Sequence, residues 1–389
     1  MAGELRIAVG LVNGFAASTA AKLTLSATRD APSVARSTPK VYRRPMRALS
    51  ILLLSDGRPG HYHLAEGVAA AIARQRPVEV VRVSVARRRL LPGRLLTGML
   101  GTSAGPGAVL RAGYGLTRGD LPAKADLVIS AGGETIAANV AATRLLGAHN
   151  IFCGTLRRVA PEAFSLIVSS YARHATLPRH LVALKPNGID PDTLRRRDVF
   201  DPASGKAPAV AGLLVGGDSG LFHYTQAEWR RLIEFLGSSY RRNGIRWVVS
   251  TSRRSPDWIG DAIASLATER DSPIAELIDF RTAGPGTLPK LFGAVEAILC
   301  TEDSSTMLSE AVCARLPVVG VSPGDHGFKD DEREYRAFMR DQGWCRFLGL
   351  DALEPETFMK ALAGVQPLTE NHLDRLAGQL AERVPELFQ

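Results

Sequence analysis

Short apolar runs recur along this chain, each closing in a Gly- or Ser-rich loop and followed by a stretch with helical periodicity. No other feature restricts the fold as strongly. The runs are strand-sized, and the segments between them are helix-length with apolar residues on one face. Strands alternating with helices imply parallel sheets covered by helices on both faces. From Arg47, ALSILLLS reads as a buried strand, and HYHLAEGVAAAIARQ as a helix with Leu64, Val68 and Ile72 on one side. VEVVRVSV, DLVISAGG, NIFCG and SLIVSS are further strands, with the helix TIAANVAATRLLG among them, and HLVALKPNGI closes this half with a short strand and a turn. Residues 86–123 are rich in Arg, Gly and Leu and show no clear period.

After a break the rhythm restarts. Residues 190–208 carry prolines and basic residues without apolar periodicity and read as a linker. VAGLLVGG, IRWVVSTSRR, ELIDF, AVEAILC and LPVVGV then read as strands. Helices are expected near 225–241, 257–270 and 287–294 and over SSTMLSEAVCAR, and everything from residue 330 is helical in character. The expected architecture is α/β: two Rossmann-like doubly wound domains facing each other across a cleft, at 47–190 and 209–365. A linker at 191–208 joins them and a helical tail at 366–389 follows. A chain of 389 residues suits two domains at roughly 100–200 residues each. Residues 1–46 stand apart, with Glu4 and Asp30 as their only acids and a transit-peptide-like composition. Because Met46 opens a natural domain start, they are expected to be a disordered or mis-called extension without chemistry.

The four cysteines lie far apart with no C-x-x-C pair, which excludes zinc-ribbon, thioredoxin-like and disulfide frameworks and fits a reducing, cytoplasmic setting. The net charge of +9 favours anionic partners without choosing among nucleotides, nucleic acid and lipid. No apolar run approaches the roughly 20 residues of a spanning helix, so a soluble or peripheral protein is expected. The Arg-rich segment at 86–94 suits an anionic membrane surface. It has none of the stacking aromatics that a nucleic-acid role requires.

In doubly wound sheets, ligands sit beyond the carboxyl ends of the strands. The unusual residues of this chain fall there. D-G-R-P-G-H follows the first strand: Gly57 and Gly60 permit a tight turn, Arg58 lies between them, and a helix starting near His61 offers free N–H groups to an anion. His61 is a candidate general base and Asp56 its orienting partner. His61 and His63 lack a third ligand at a recognisable spacing, so no metal is expected. The loop AGGET brings Gly132, Gly133 and Glu134 to the same edge, with Thr135 as a helix cap. In the second half, Gly216, Gly217 and Ser219 follow a buried strand and offer N–H groups to a phosphate, although the sequence is not a P-loop. Ser252, Arg253 and Arg254 end another strand, and neither arginine has an obvious acid partner close by. TEDSSTMLSEAVCAR supplies Glu302, Ser304 and Ser305 at a helix start and Glu310 about two turns on, where a carboxylate could accept two hydrogen bonds from a ribose diol. Phe280 and Arg281 are the residues that could border a base, without support from any motif.

These motifs carry a resemblance. The serine start, Ser-Glu-Ala and the Pro-Val-Val ending look like the donor-binding helix of GT-B nucleotide-sugar glycosyltransferases. D-G-R-P-G-H is similar to the Gly-x-x-Gly-His loop of the lipid II-forming N-acetylglucosaminyltransferase. SDGRPGH, LLVGGDSG, VSTSRRSPD and TEDSSTMLSEAV, in that order, resemble the bacterial mitochondrial-fission ELM-type family of glycosyltransferases. The resemblance implies a GT-B fold and a nucleotide diphosphate sugar as donor substrate. Glu310 would lie at the ribose, Gly217, Ser219, Arg253, Ser304 and Ser305 around diphosphate and sugar, and His61 near the acceptor hydroxyl. Glu302 matches the first acid of the E-x7-E pattern of some retaining enzymes, a position where the ELM-type pattern usually has none.

The expected activity is metal-independent transfer of a sugar to a hydroxyl of a glycan or lipid-linked acceptor, in the cytoplasm or on the inner face of the membrane. The alternatives are a nucleotide-sugar epimerase or hydrolase on the same fold, for which Glu134 and Glu302 would supply carboxylates, and a non-catalytic membrane-surface scaffold.

Overall fold

The computed structural model describes residues 47–88, 91–101, 105–156, 159–194 and 200–389; the expected extension at 1–46 lies outside them, as do Arg89 and Leu90 of the Arg-rich segment. The first half is built from β1 (Leu49–Ser55), α1 (Pro59–Ala73), β2 (Val78–Ser84), α2 (Gly93–Met99), α3 (Gly105–Tyr114), β3 (Leu127–Ala131), α4 (Ile136–Leu146), β4 (His149–Cys153), β5 (Leu166–Ser169) and β6 (His180–Val182). Its six strands run parallel in the order β2-β1-β3-β4-β5-β6. β3, buried along its whole length, reads LVISA, because a central parallel strand has helices on both faces.

The second half starts with β7 (Val210–Leu214), β8 (Phe222–His223), α5 (Gln226–Asn243), β9 (Arg246–Ser250), α6 (Asp257–Ala267), β10 (Ile274–Ile278), α7 (Phe280–Ala283) and α8 (Leu288–Ala294). It continues with β11 (Ala297–Thr301), α9 (Ser305–Cys313), β12 (Val318–Ser322), β13 (Asp325–His326), α10 (Asp330–Asp341), β14 (Cys345–Gly349), α11 (Pro355–Ala363) and α12 (His372–Arg383). Its main sheet has the order β10-β9-β7-β11-β12-β14, again all parallel, and β8 pairs with β13 in a separate two-stranded ribbon. The chain is thus a pair of doubly wound α/β units. Strand order reverses beside β1 and β3 in the first and beside β7 and β11 in the second, where such sheets open a ligand crevice.

Apolar clusters line both faces of each sheet. The last helix returns to the first half: Leu373, Leu376, Ala377 and Leu380 of α12 are buried in one cluster with Val68 and Ile72 of α1. Arg74 at the end of α1 fixes this return through Asp374 at 2.6 Å and Asp190 at 2.9 Å. No helix among the described residues is long and apolar enough to cross a membrane.

Several local expectations need correction. The unperiodic segment contains α2 and α3, whose glycines mask their helical pattern. One of those glycines is a packing device, since a Cβ on Gly113 would lie 2.7 Å from Leu96 of α2. The chain beyond 330 is not wholly helical, because β14 adds a parallel edge strand beside β12. Helix α1 begins at Pro59, ahead of His61, as suits a proline in the first turn. Thr135 does not cap α4: its hydroxyl donates back to the carbonyls of Ala131 and Gly132.

Candidate active site

The loops after β1, β3, β7, β9 and β11 converge between the two sheets. From the first half, the turn at Gly57, with φ of +76°, reverses the chain into α1 and carries His61 over the end of β3. There Gly132 has φ of +86°, and a Cβ on it would sit 2.2 Å from His61 Nδ1. The imidazole thus packs directly on the backbone of Gly132. His61 Nδ1 lies 2.7 Å from Asp56 Oδ2, and the Asp56 carboxylate is buried. Asp56 Oδ1 also accepts from the Arg58 N–H at 3.1 Å. A buried carboxylate draws Nδ1 into donating, which leaves Nε2 as the proton acceptor. Glu134 stands behind this loop, with Arg87 at 3.4 Å and Arg58 at 3.8 Å from its carboxylate.

His63 takes a role that the sequence did not suggest. It is two residues from His61 but meets a different acid: Nδ1 lies 2.9 Å from Glu310 Oε1, in the opposite half of the molecule. Glu310 is buried on α9 at 4% exposure, so His63 is the partner that a carboxylate in such a helix demands. Close by, a Cβ on Gly60 would lie 3.6 Å from Thr306 Oγ1. The first turns of α1 and α9 therefore face each other, and neither contains an acidic residue. Two positive helix ends directed at one gap favour an anion between them.

On the second half, Ser304 caps α9 by accepting from Met307 N, and Ser305 Oγ accepts from Lys185. Arg253 is exposed and makes no ion pair among the described residues. With Ser252, Asp257, Phe280 and Arg281 it lines a cavity of about 410 Å³ at the ends of β9 and β10. Ser219 closes a tight turn with Phe222.

Three expected ligand contacts are redirected. The Glu302 carboxylate is buried against Arg336 Nε at 2.9 Å, and Arg336 also donates to the Glu302 carbonyl at 2.6 Å. Its place is a core ion pair, not a sugar contact. Arg254 pairs with Asp303, whose carboxylate is fully buried and also accepts from Tyr224 Oη at 3.1 Å. The Gly216 N–H is spent on Thr301 Oγ1 at 2.7 Å. Gly216 and Gly217 owe their lack of a side chain to crowding: a Cβ would come within 2.2 Å of Asp303 and 2.1 Å of the Arg254 carbonyl, respectively.

The family model described as Mitochondrial fission ELM1 matches residues 59–384. No curated protein sequence matches the chain. Among solved structures, a Listeria monocytogenes protein assigned as a UDP-N-acetylglucosamine 2-epimerase superposes with a TM-score of 0.50 at 12% identity, over 88% of this chain and 97% of that one. Acinetobacter baumannii MurG gives 0.47 at 14% identity over 86% and 100% of the two chains, and S. aureus MnaA with UDP gives 0.47 at 12% over 87% and 97%. At such identities the likeness is one of fold, and the fold is GT-B-like.

Proposed function

The chain belongs to the mitochondrial fission ELM1 family, and from that premise we propose that it transfers a sugar from a nucleoside diphosphate sugar to an acceptor hydroxyl. The observation that carries the reading is the 2.9 Å contact of His63 with Glu310. It joins the histidine-bearing helix α1 of the first half to the carboxylate-bearing helix α9 of the second, beside one gap lined by the N-termini of both helices. In this reading the base lies in the cavity beside Phe280, the diphosphate lies at the first turn of α9 with Arg253, and Glu310 accepts the ribose diol. His61 Nε2 takes the acceptor proton while the acceptor oxygen bonds to the anomeric carbon. The bond from that carbon to the diphosphate breaks, and its electron pair leaves on the diphosphate. Helix ends and Arg253 meet that developing charge with fixed dipoles and a guanidinium.

Calorimetric titration with UDP, GDP, ADP and dTDP tests the site. One of them is expected to bind, and Glu310→Ala is expected to weaken it about 10- to 100-fold, as loss of hydrogen bonds to a charged group implies. Binding of none of the four would sink the reading and favour a scaffold. Incubating the matching nucleotide sugar alone separates transfer from its rivals, because an altered or released sugar without acceptor would indicate an epimerase or a hydrolase.

The site also predicts a pH dependence. Burial alone would pull the His63 pKa down, but the hydrogen bond and charge of Glu310, together with Glu66, leave it raised above 6.5. The neighbouring Tyr62 ring packs edge-on, and Arg253 lies close enough to influence Tyr62. Protonating His63 therefore strengthens the pair that occupies Glu310, and a ribose diol must open that pair. Nucleoside diphosphate affinity is expected to fall as pH drops through the raised His63 value to below 6.5. His63→Gln is expected to remove that slope. An unchanged slope would assign it to the phosphates of the ligand.

A further inference from the structure

Lys185 follows β6 in the first half of the chain, yet its side chain ends at the start of α9 in the second. Its Nζ lies 2.5 Å from Ser305 Oγ and 2.7 Å from Glu332 Oε1, 4.7 Å over the Tyr335 ring. The residue is 8% exposed. Its main chain is fixed as well: the N–H donates to Tyr335 Oη at 3.1 Å and the carbonyl accepts from Asn187 Nδ2 at 3.1 Å. We infer that Lys185 is a positioning residue for Ser305, aiming that hydroxyl proton into the cleft at the diphosphate of a bound nucleotide. The inference rests on the donor site proposed above.

The argument is one of proton count. Burial lowers the Lys185 pKa, but the Glu332 carboxylate at 2.7 Å opposes that and favours the charged form; an ammonium group only donates, so at this bond the serine oxygen must accept. Ser305 has one hydroxyl proton, which must point elsewhere. No hydrogen bond from Ser305 Oγ to an acceptor exists among the described residues. Glu332 is already engaged on both oxygens, by Lys185 and Tyr171 on one and by Arg336 on the other. The Ser304 hydroxyl oxygen is committed to Met307 N. Ser305 is half-buried in the first turn of α9, next to Thr306, whose hydroxyl lies against Gly60 of α1 across the gap. A donor polarised by an ammonium group makes a stronger bond to a phosphate oxygen, and the lysine charge reaches the anion through a single atom. A strap between the halves would need only Lys185, Glu332 and Tyr171. The Ser305 contact is the part that leads to the ligand.

A double-mutant cycle tests this, using whichever of UDP, GDP, ADP and dTDP binds, with its own monophosphate as reference. Lys185→Met and Ser305→Ala are each expected to weaken the diphosphate by about tenfold, and the double variant no further than Ser305→Ala alone, as coupled neighbours behave. The monophosphate should lose far less, and Lys185→Arg, which keeps the cation, should recover part of the affinity. Losses that multiply in the double variant, or that fall equally on diphosphate and monophosphate, would overturn the inference while leaving the donor site standing. Wild-type protein that binds none of the four would overturn both. Should Lys185→Met fail to fold, Lys185→Arg in wild-type and Ser305→Ala backgrounds gives the same cycle.

Discussion

Replacing His61 by alanine is expected to lower turnover by about 10²- to 10⁴-fold, the usual contribution of a general base, while nucleoside diphosphate affinity changes by less than about twofold. The asymmetry follows from position. The imidazole belongs to the first half, held between the buried carboxylate of Asp56 and the backbone of Gly132, and makes no hydrogen bond with the described residues of the second half, which is proposed to hold the donor. Its loss should be felt only when the acceptor proton moves. Asp56→Asn is expected to cost less than His61→Ala, because the ring keeps a partner but loses the carboxylate that sets its tautomer. Steady-state rates and calorimetry on the same preparations decide the matter. Equal losses in turnover and affinity would remove the base assignment and place His61 at the donor.

Arg336→Met is expected to destabilise the fold by about 3–5 kcal/mol, the typical cost of removing one partner from a buried ion pair. Glu302 and Arg336 are 4% and 6% exposed, and the guanidinium serves Glu302 and Glu332 together. Burial already raises the Glu302 pKa above 4.5 although Arg336 opposes it. Without Arg336 that pKa rises further, so the variant suffers most at neutral pH and is relieved as acid protonates Glu302. Glu332 behaves in the opposite way: burial would raise it, but Lys185 and Arg336 hold it down to about 2. In the wild type the stability that Glu332 contributes is present above 4.5 and fades as pH falls towards 2. Both effects narrow the gap between wild type and variant in acid. Urea unfolding at pH 7 and pH 5 reads the Glu302 part, since Glu332 acts only below 4.5, and a gap that widens at pH 5 would contradict the assignment of Glu302 to this pair.

The helix-end electrostatics, the buried pairs and the glycine contacts show where local pattern stops carrying information. Asp56 and His61 are five residues apart on one loop, and their partnership could be read from the turn they share. Glu302 and Arg336 are 34 residues apart, and Arg254 and Asp303 are 49 apart. Arg254 and Asp303 meet because β9 and β11 end at the same sheet edge, and Glu302 meets Arg336 because α10 packs back on the end of β11. The doublet Gly216-Gly217 reads as a phosphate loop in one dimension; in three, Asp303 and the Arg254 carbonyl already fill the space beside it. β14 was missed because it is a five-residue, half-buried edge strand directly after a helix.

What the chain alone determined is what depends on near neighbours: the alternation of strand and helix, the doubly wound class, and the loops at which chemistry could gather, since apolar period and turn residues act over a few positions. Tertiary structure decided which charges are spent within the protein and which remain for a ligand. His63 with Glu310, Lys185 with Ser305 and Arg336 with Glu302 are made by the docking of one half, or one helix, against another. Hydrogen bonds and ion pairs act over a few ångströms of space, and sequence separation does not measure that distance.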